Sequence, residues 1–186
     1  TTIQVGVKCA NFNVDAISSS LGEDSSNANE PVLLDNMIPV VYDGCSNWLK
    51  ADTSKNWYNY DKKTWANAVT VSEESRETYL NADPGTVIEM SDINTMWVWI
   101  PRYKYTIFNA NMNGDETASE QEIEVVFESG TSSTGTVSCV DSINNSDGTS
   151  EVCTDSTYGE VTNNSSTYTH PAFTFGDDEL TGFWFA

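Results

Sequence analysis

The sequence predicts a mainly β protein: an aromatic-rich antiparallel meander or sandwich with one or two short helices. Two observations carry this. Bulky side chains alternate along Met96–Tyr105 (MWVWIPRYKY) and along the last stretch, HPAFTFGDDELTGFWFA. Trp97 and Trp99, Phe173 and Phe175, and Phe183 and Phe185 repeat with a period of two, as in strands that bury one face. Hydrophobic content is only 38%, and Asn, Ser, Thr, Asp and Gly fill much of the rest. That suits strands joined by polar loops better than a helical bundle. Aromatics at 11% supply large buried area per side chain and offset the thin aliphatic content.

Taken in order, Ile3, Val5, Val7 and Cys9 alternate with Gln4, Gly6 and Lys8, which predicts a strand that pairs within the chain or reaches a neighbour. Ser18–Glu30 is polar and turn-rich and reads as a linker. Residues 1–30 are therefore expected to be a strand and linker, and 31–186 a β-rich domain opened by Pro31. Met37–Tyr42 predicts a strand, Asp43-Gly44 a hairpin turn and Asn47–Ala51 the return strand. After the turn at Asp61-Lys62-Lys63, Trp65–Val71 predicts the next strand of a small meander, with Trp48, Trp57 and Trp65 packed over it. Ser72–Ala82 is the best helix: Ser72, Ser75 and Glu73-Glu74 suit its first turn, and Asp83-Pro84-Gly85 stops it. A short turn at Ser91–Thr95 leads into one strand over Trp97–Ile107. Glu122–Glu128 alternates as another. The Ser/Thr/Asn/Gly-rich stretch at about 130–165 reads as a surface excursion, and Pro171–Ala186 as two strands joined by Gly176-Asp177-Asp178. The chain stops inside a hydrophobic run, which predicts either a piece of a larger protein or a strand completed by a neighbour.

The formal net charge is −20, from 28 acidic and 8 basic residues. Phosphate backbones and anionic membranes are read by clustered Lys and Arg, so neither is an expected partner. Acidity of this degree reads as a solvated, self-repelling surface. No segment approaches the ~20 apolar residues that span a bilayer, and Thr1–Ala16 lacks the regions of a signal peptide. The four cysteines are Cys9, Cys45, Cys139 and Cys153, which permit three pairings. Cys139 and Cys153 flank a loop with turn chemistry at its centre, so a disulfide across it is expected, leaving Cys9 and Cys45 as the other pair. There is no CxxC spacing and His170 is the one histidine, which argues against zinc.

The block PVLLDNMIPVVYDG…NWLKAD…WYNYDKKTWANAVTV…MWVWIPRYKY…THPAFTFGDDELTGFWFA resembles poorly characterised bacterial and phage surface proteins. The likeness spans roughly Pro31 to Ala186 without the 130–164 excursion. Trp99-Ile100-Pro101 and Gly182-Phe183-Trp184 are similar to the anchor strands that open a C-type-lectin-like fold, shared with sulfatase-modifying factors. The resemblance implies that the C-terminal part is the start of such a fold. It also implies no sulfatase-modifying activity, because that family's reactive cysteines lie beyond the point where this chain stops.

Asn109, Asn111, Asn113, Gly114, Asp115, Thr117 and Glu120 fall at positions 1, 3, 5, 6, 7, 9 and 12 of a calcium-loop pattern. Asn replaces the first Asp, and strands rather than helices flank it. The expected role is a polar hairpin loop, with weak calcium binding as the alternative and no cofactor otherwise. His170, the sole candidate for a Ser-His-Asp arrangement, reads as a strand-start residue bonded to backbone. Asp177-Asp178-Glu179 reads as a solvated turn. No catalytic residue is expected. Trp48, Trp57, Tyr58, Tyr60 and Trp65 are dense enough for a sugar-stacking face, although alternating aromatics also make core. Asn144, Asn163 and Asn164 stand in N-x-S contexts that mark exposed chain.

These observations lead to the expectation of a non-enzymatic structural or display subunit of a multi-copy extracellular assembly, on a virion or cell-surface filament. The expected subunit is acidic and homo-oligomeric, with a terminal strand shared between subunits. The alternative is a C-type-lectin-like adhesin binding a host-surface glycan or protein.

Overall fold

A computed structural model describes residues 12–107, 123–133, 137–145, 148–155, 159–160 and 167–186. The strand expected over Ile3–Cys9 lies outside the described residues. The protein is mainly β. Its elements are α1 (Val14–Leu21), β1 (Ile38–Tyr42), β2 (Trp48–Lys50), β3 (Asn67–Val71), α2 (Glu73–Asn81), β4 (Val87–Ile88), β5 (Ile93–Pro101) and β6 (Tyr103–Ile107). There follow β7 (Ile123–Phe127), β8 (Val137–Asn145), β9 (Gly148–Asp155), β10 (Gly159–Glu160), β11 (Thr167–Thr169), β12 (Thr174–Phe175), β13 (Asp178–Glu179) and β14 (Gly182–Phe185). They fall into two compact units, one of residues 1–26, 31–100 and 184–186, the other of 27–30 and 101–183.

The first unit is built on a sheet ordered β14-β5-β3-β1-β2-β4. β1 pairs antiparallel with both β2 and β3, with Tyr42 opposite Trp48 and Ile38 opposite Val69. The strands are thus not laid down in sequence order, because the 51–66 segment carries the chain from β2 past β1 to β3. Opposed residues share a face. Ile38, Val40, Val69, Val71 and Ile88 form one apolar cluster with Tyr79 of α2, with Trp48, Leu80 and Ile93 packed around it. Val41, Leu49 and Ala68 point the other way by alternation and are also buried. Covering on both faces explains why β1 reads as a continuous apolar run.

α2 begins at Ser72, whose hydroxyl bonds the Ser75 side chain. Its C-terminal carbonyls are held by one side chain: Lys50 Nζ donates to Tyr79 O (3.0 Å), Leu80 O (2.7 Å) and Ala82 O (2.8 Å). An ammonium on the last carbonyls of a helix contributes up to about 2 kcal/mol. The Tyr79 hydroxyl in turn donates to Asp92 (2.7 Å), tying the helix to the turn before β5.

The expected linker at Ser18–Glu30 is instead partly helical and firmly docked. α1 is capped by Asn13, whose side chain accepts from Ala16 N, and it ends at Gly22 with φ +64°. Buried Asn59 donates to Leu21 O (2.9 Å) and Glu23 O (3.0 Å), and Lys62 Nζ donates to Ser20 O (2.9 Å). Asp61 accepts from Ser25 N (2.9 Å). Local polarity suggests a linker, but partners more than thirty positions away satisfy the polar groups and order the segment.

The run expected as one strand over Trp97–Ile107 is broken at Arg102. β5 belongs to the six-stranded sheet and β6 to a second one, ordered β11-β6-β7. Pro101 has no N–H for a ladder, so a strand readily ends there. The expected excursion at about 130–165 contains β8 and β9, an antiparallel hairpin, with β10 paired on β9. Val, Ile and Thr among its polar residues are strand formers, which outweighs the turn-like composition. The terminal block holds three strands rather than two. β12 and β13 make a tight hairpin, Phe175 opposite Asp178, around Gly176 at φ +65°, and β14 joins the first sheet. No helix among the described residues is long and apolar enough to cross a membrane.

Candidate functional site

The five aromatics expected as a ligand face do not form one surface. Trp57, Tyr58, Tyr60 and Trp65 make a continuous row with ring centroids 5.3 Å, 5.4 Å and 5.3 Å apart in succession. Trp48 stands apart from that row, against Tyr42 at 5.3 Å and beside the α2-facing core. Within the row, Trp57 and Tyr60 are core residues, and the Tyr60 hydroxyl donates to Trp99 O (3.1 Å). Burial pushes the Tyr60 hydroxyl well above its ordinary pKa. Trp65 is 38% exposed and Tyr58 half-buried. The surface offered to solvent is therefore one indole wedged edge-on against a fixed phenol, a smaller platform than the sequence implied.

The turn between β1 and β2 is an anion nest. Asp43 Oδ1 accepts from the backbone N–H groups of Cys45 (2.8 Å), Ser46 (2.9 Å) and Asn47 (3.0 Å), while Oδ2 accepts from the Asn47 amide (2.8 Å). Burial raises the carboxyl pKa, but the hydrogen bonds from Asn47, Cys45 and Ser46 outweigh it and bring the group down to about 2. The unfolded carboxyl titrates near 3.8, so the stability this nest contributes is complete above that value and is lost as pH falls from about 4 through about 2. Asp43→Asn is expected to flatten that part of the stability-against-pH curve, measured by urea unfolding. A variant whose slope between those values equals that of the parent would refute the assignment.

Cys45 in the same turn is disulfide-bonded. The expected partner, Cys9, lies outside the described residues; in the same turn Phe12 N donates to Asp43 O (3.1 Å). Cys139 and Cys153 stand directly opposite one another in the β8–β9 register.

The second unit is organised around a side chain the sequence reading passed over. Arg102 is fully buried. Its guanidinium meets Glu128 (Nε to Oε2, 3.2 Å) and Glu179 (Nη2 to Oε2, 2.8 Å), and donates to Ser133 Oγ (2.7 Å) and Leu180 O (3.1 Å). Glu128 also accepts from the Thr169 hydroxyl at 3.0 Å on both oxygens, and Glu179 accepts from Thr174 (2.8 Å). The Thr174 hydroxyl, with Arg102 and Ser133, holds the Glu179 carboxyl below its ordinary pKa against a smaller opposing effect of burial. Asn29 closes the arrangement: its amide donates to Glu128 O (3.0 Å), Gly130 O (2.9 Å) and Thr181 O (2.9 Å), and its carbonyl accepts from Gly130 N (2.7 Å). The donors here face acceptors, so the group is a satisfied polar network that ties these segments together. One arginine between Pro101 and Tyr103, among 8 basic residues in all, was the only sequence signal.

His170 caps the 3-10 turn Pro171–Phe173. Its Nδ1 accepts from Ala172 N (3.2 Å), its backbone N–H donates to Tyr103 O (3.1 Å), and burial lowers its pKa. Asp177 and Asp178 are exposed, whereas Glu179 is drawn to Arg102. The calcium-loop pattern Asn109–Glu120, and the side chains of Asn144, Asn163 and Asn164, lie outside the described residues. Among the described residues, no three His, Cys, Asp or Glu side chains are grouped as a metal site.

The sheet edges carry exposed apolar side chains. β7 ends the β11-β6-β7 sheet, with Ile123 59%, Val125 51% and Val126 42% exposed. β14, the terminal strand, hydrogen-bonds β5 of its own chain and forms one edge of the first sheet, where Phe185 is 62% exposed. The backbone and site together define the class: an antiparallel, aromatic-rich β protein with an anchored interior and apolar sheet edges. No protein-family model matches the chain, and comparison with characterised proteins and with solved structures finds no match.

Proposed function

We propose that this chain is a non-enzymatic structural or display subunit of a multi-copy extracellular assembly, on a virion or cell-surface filament, built by strand sharing between copies. The exposed apolar side chains Ile123, Val125 and Val126 of β7 support this reading, because a consecutive apolar set in solvent along a strand marks a surface that a partner covers. β14 satisfies one side of its backbone on β5 of its own chain, so any sharing through the C-terminus uses its outer side. Head-to-tail sharing propagates into rings or filaments. The test is light scattering behind size exclusion across a range of concentrations, with electron microscopy of the same material. Regular polymers or discrete oligomers are expected; a monodisperse monomer that persists at high concentration overturns the proposal.

The second reading is a C-type-lectin-like adhesin, which rests on the resemblance of the Trp99-Ile100-Pro101 and Gly182-Phe183-Trp184 segments. Exposed Trp65, braced by Tyr60, favours it, since an indole held in place can stack on a sugar face. Retention of glycan by isolated monomers, lost in Trp65→Ala, would select this reading over the first.

A further inference from the structure

We propose that His170 is a pH-sensitive latch, whose neutral imidazole holds the turn that carries Phe173 and whose protonation releases it. Nδ1 accepts from the backbone N–H of Ala172 at 3.2 Å, so in the closed turn the ring proton sits on Nε2. An imidazolium carries a proton on both nitrogens. Charging the ring therefore sets a donor against a donor and breaks the cap. An amide cap such as Asn13 on α1 keeps its acceptor at any ordinary pH, whereas an imidazole cap is lost within the range where histidines titrate. His170 is the one histidine of the chain, so no second imidazole answers the same change.

The groups packed against the ring offer it no counter-charge. From β6, Tyr103 and Tyr105 stand 5.2 Å and 5.9 Å from it, centre to centre, and from its own turn Phe173 stands at 6.2 Å. β11 contributes Tyr168, which packs on Tyr105 at 6.2 Å. Burial pushes the Tyr103 and Tyr105 hydroxyls up, so both stay neutral in acid. The Arg102 guanidinium, 5.9 Å from the Phe173 centroid, is already paired with Glu128 and Glu179. Among the described residues burial alone acts on the imidazole, and it lowers the pKa. The unfolded imidazole titrates near 6.5 and the folded one lower, so the stability this cap contributes is complete above 6.5 and is lost as pH falls through the folded value. The turn is closed by Phe173 N on His170 O (3.2 Å), and Leu180 N on Phe173 O (2.7 Å) joins it to the end of the β12–β13 hairpin. Opening it loosens that hairpin together with Phe173.

The test compares the full chain with its His170→Asn variant, whose amide is a good cap and does not titrate. Both are unfolded in urea between about pH 8 and about pH 5, the range in which an ordinary imidazole charges. The parent's unfolding constant is expected to rise about fivefold more than the variant's across that range, the usual effect of losing one cap. Parallel curves overturn the proposal. The parent alone supplies a second reading that does not depend on the variant folding. Its single imidazole and its Phe173 ring, followed by NMR, are expected to titrate together with a midpoint below 6.5. An imidazole midpoint at or above that value, or a Phe173 ring that does not respond as the imidazole charges, overturns the proposal as well.

Discussion

Arg102→Met is expected to lower the stability of the protein by about 3–5 kcal/mol, because it leaves Glu128 buried without its counter-charge. Glu128 is the partner that suffers: its side chain is 6% exposed, against 34% for Glu179, which can turn to water. Ser133 Oγ and Leu180 O lose a donor in the same step. The second half of the prediction separates charge from packing. In Arg102→Met/Glu128→Gln the buried charge is gone, Thr169 keeps an acceptor, and most of the lost stability returns, since an apolar or neutral replacement of a whole buried pair is often close to neutral. Chemical denaturation of the parent, the single and the double variant measures both terms. A single variant within about 1 kcal/mol of the parent (roughly a fivefold change in the unfolding constant) would show that Arg102 is not the anchor of this unit.

Phe173→Ala is expected to cost a similar amount, about 3–5 kcal/mol, through cavity formation. Phe173 is fully buried. Its ring lies 5.2 Å from Tyr103, edge-on, and 5.4 Å from Phe183, with the Arg102 guanidinium 5.9 Å from its centroid. Removing it takes away apolar area, three ring contacts (with Tyr103, His170 and Phe183) and a cation–π contact together, while the 3-10 turn that holds it is capped by His170. Phe173→Leu keeps most of the volume and is expected to lose much less. Equal losses in the Ala and Leu variants, read from urea midpoints, would mean that ring geometry rather than volume sets the stability of this site.

The elements differ in how far the sequence carried them. β1, β2, β3 and β7 fall within runs expected as strands, β5 does so only from Trp97 onward because Ser91–Thr95 was expected to be a turn, and α2 lies inside Ser72–Ala82. β1, β2, β3 and α2 bury side chains in the core, so burial writes itself directly into their residues, whereas β7 alternates in type while standing largely in solvent. α1 was hidden because half of its length reads as polar linker: its order comes from Asn59 and Lys62, side chains outside the local window. The β8–β9 hairpin was hidden because its strands carry Ser, Thr and Asn, residues equally at home in loops. The row Trp57–Trp65 looked like one platform with Trp48, yet which face of a sheet each ring takes is set by register and by the path between strands, and neither is local.

By itself, the sequence determined the mainly β, antiparallel, aromatic-rich character, most strand positions and the main helix, since these follow from periodicity and turn chemistry within a few residues. The tertiary structure decided the rest. It broke the Trp97–Ile107 run at Arg102, gathered Glu128, Glu179 and Ser133 around that residue with Asn29 alongside, and separated buried Trp57 and Tyr60 from exposed Trp65. Asn29 and Thr181 are 152 positions apart and share a hydrogen bond of 2.9 Å. A contact of that span leaves no period or motif in the chain, because nothing in the local sequence of either residue depends on the other until the fold has brought them together.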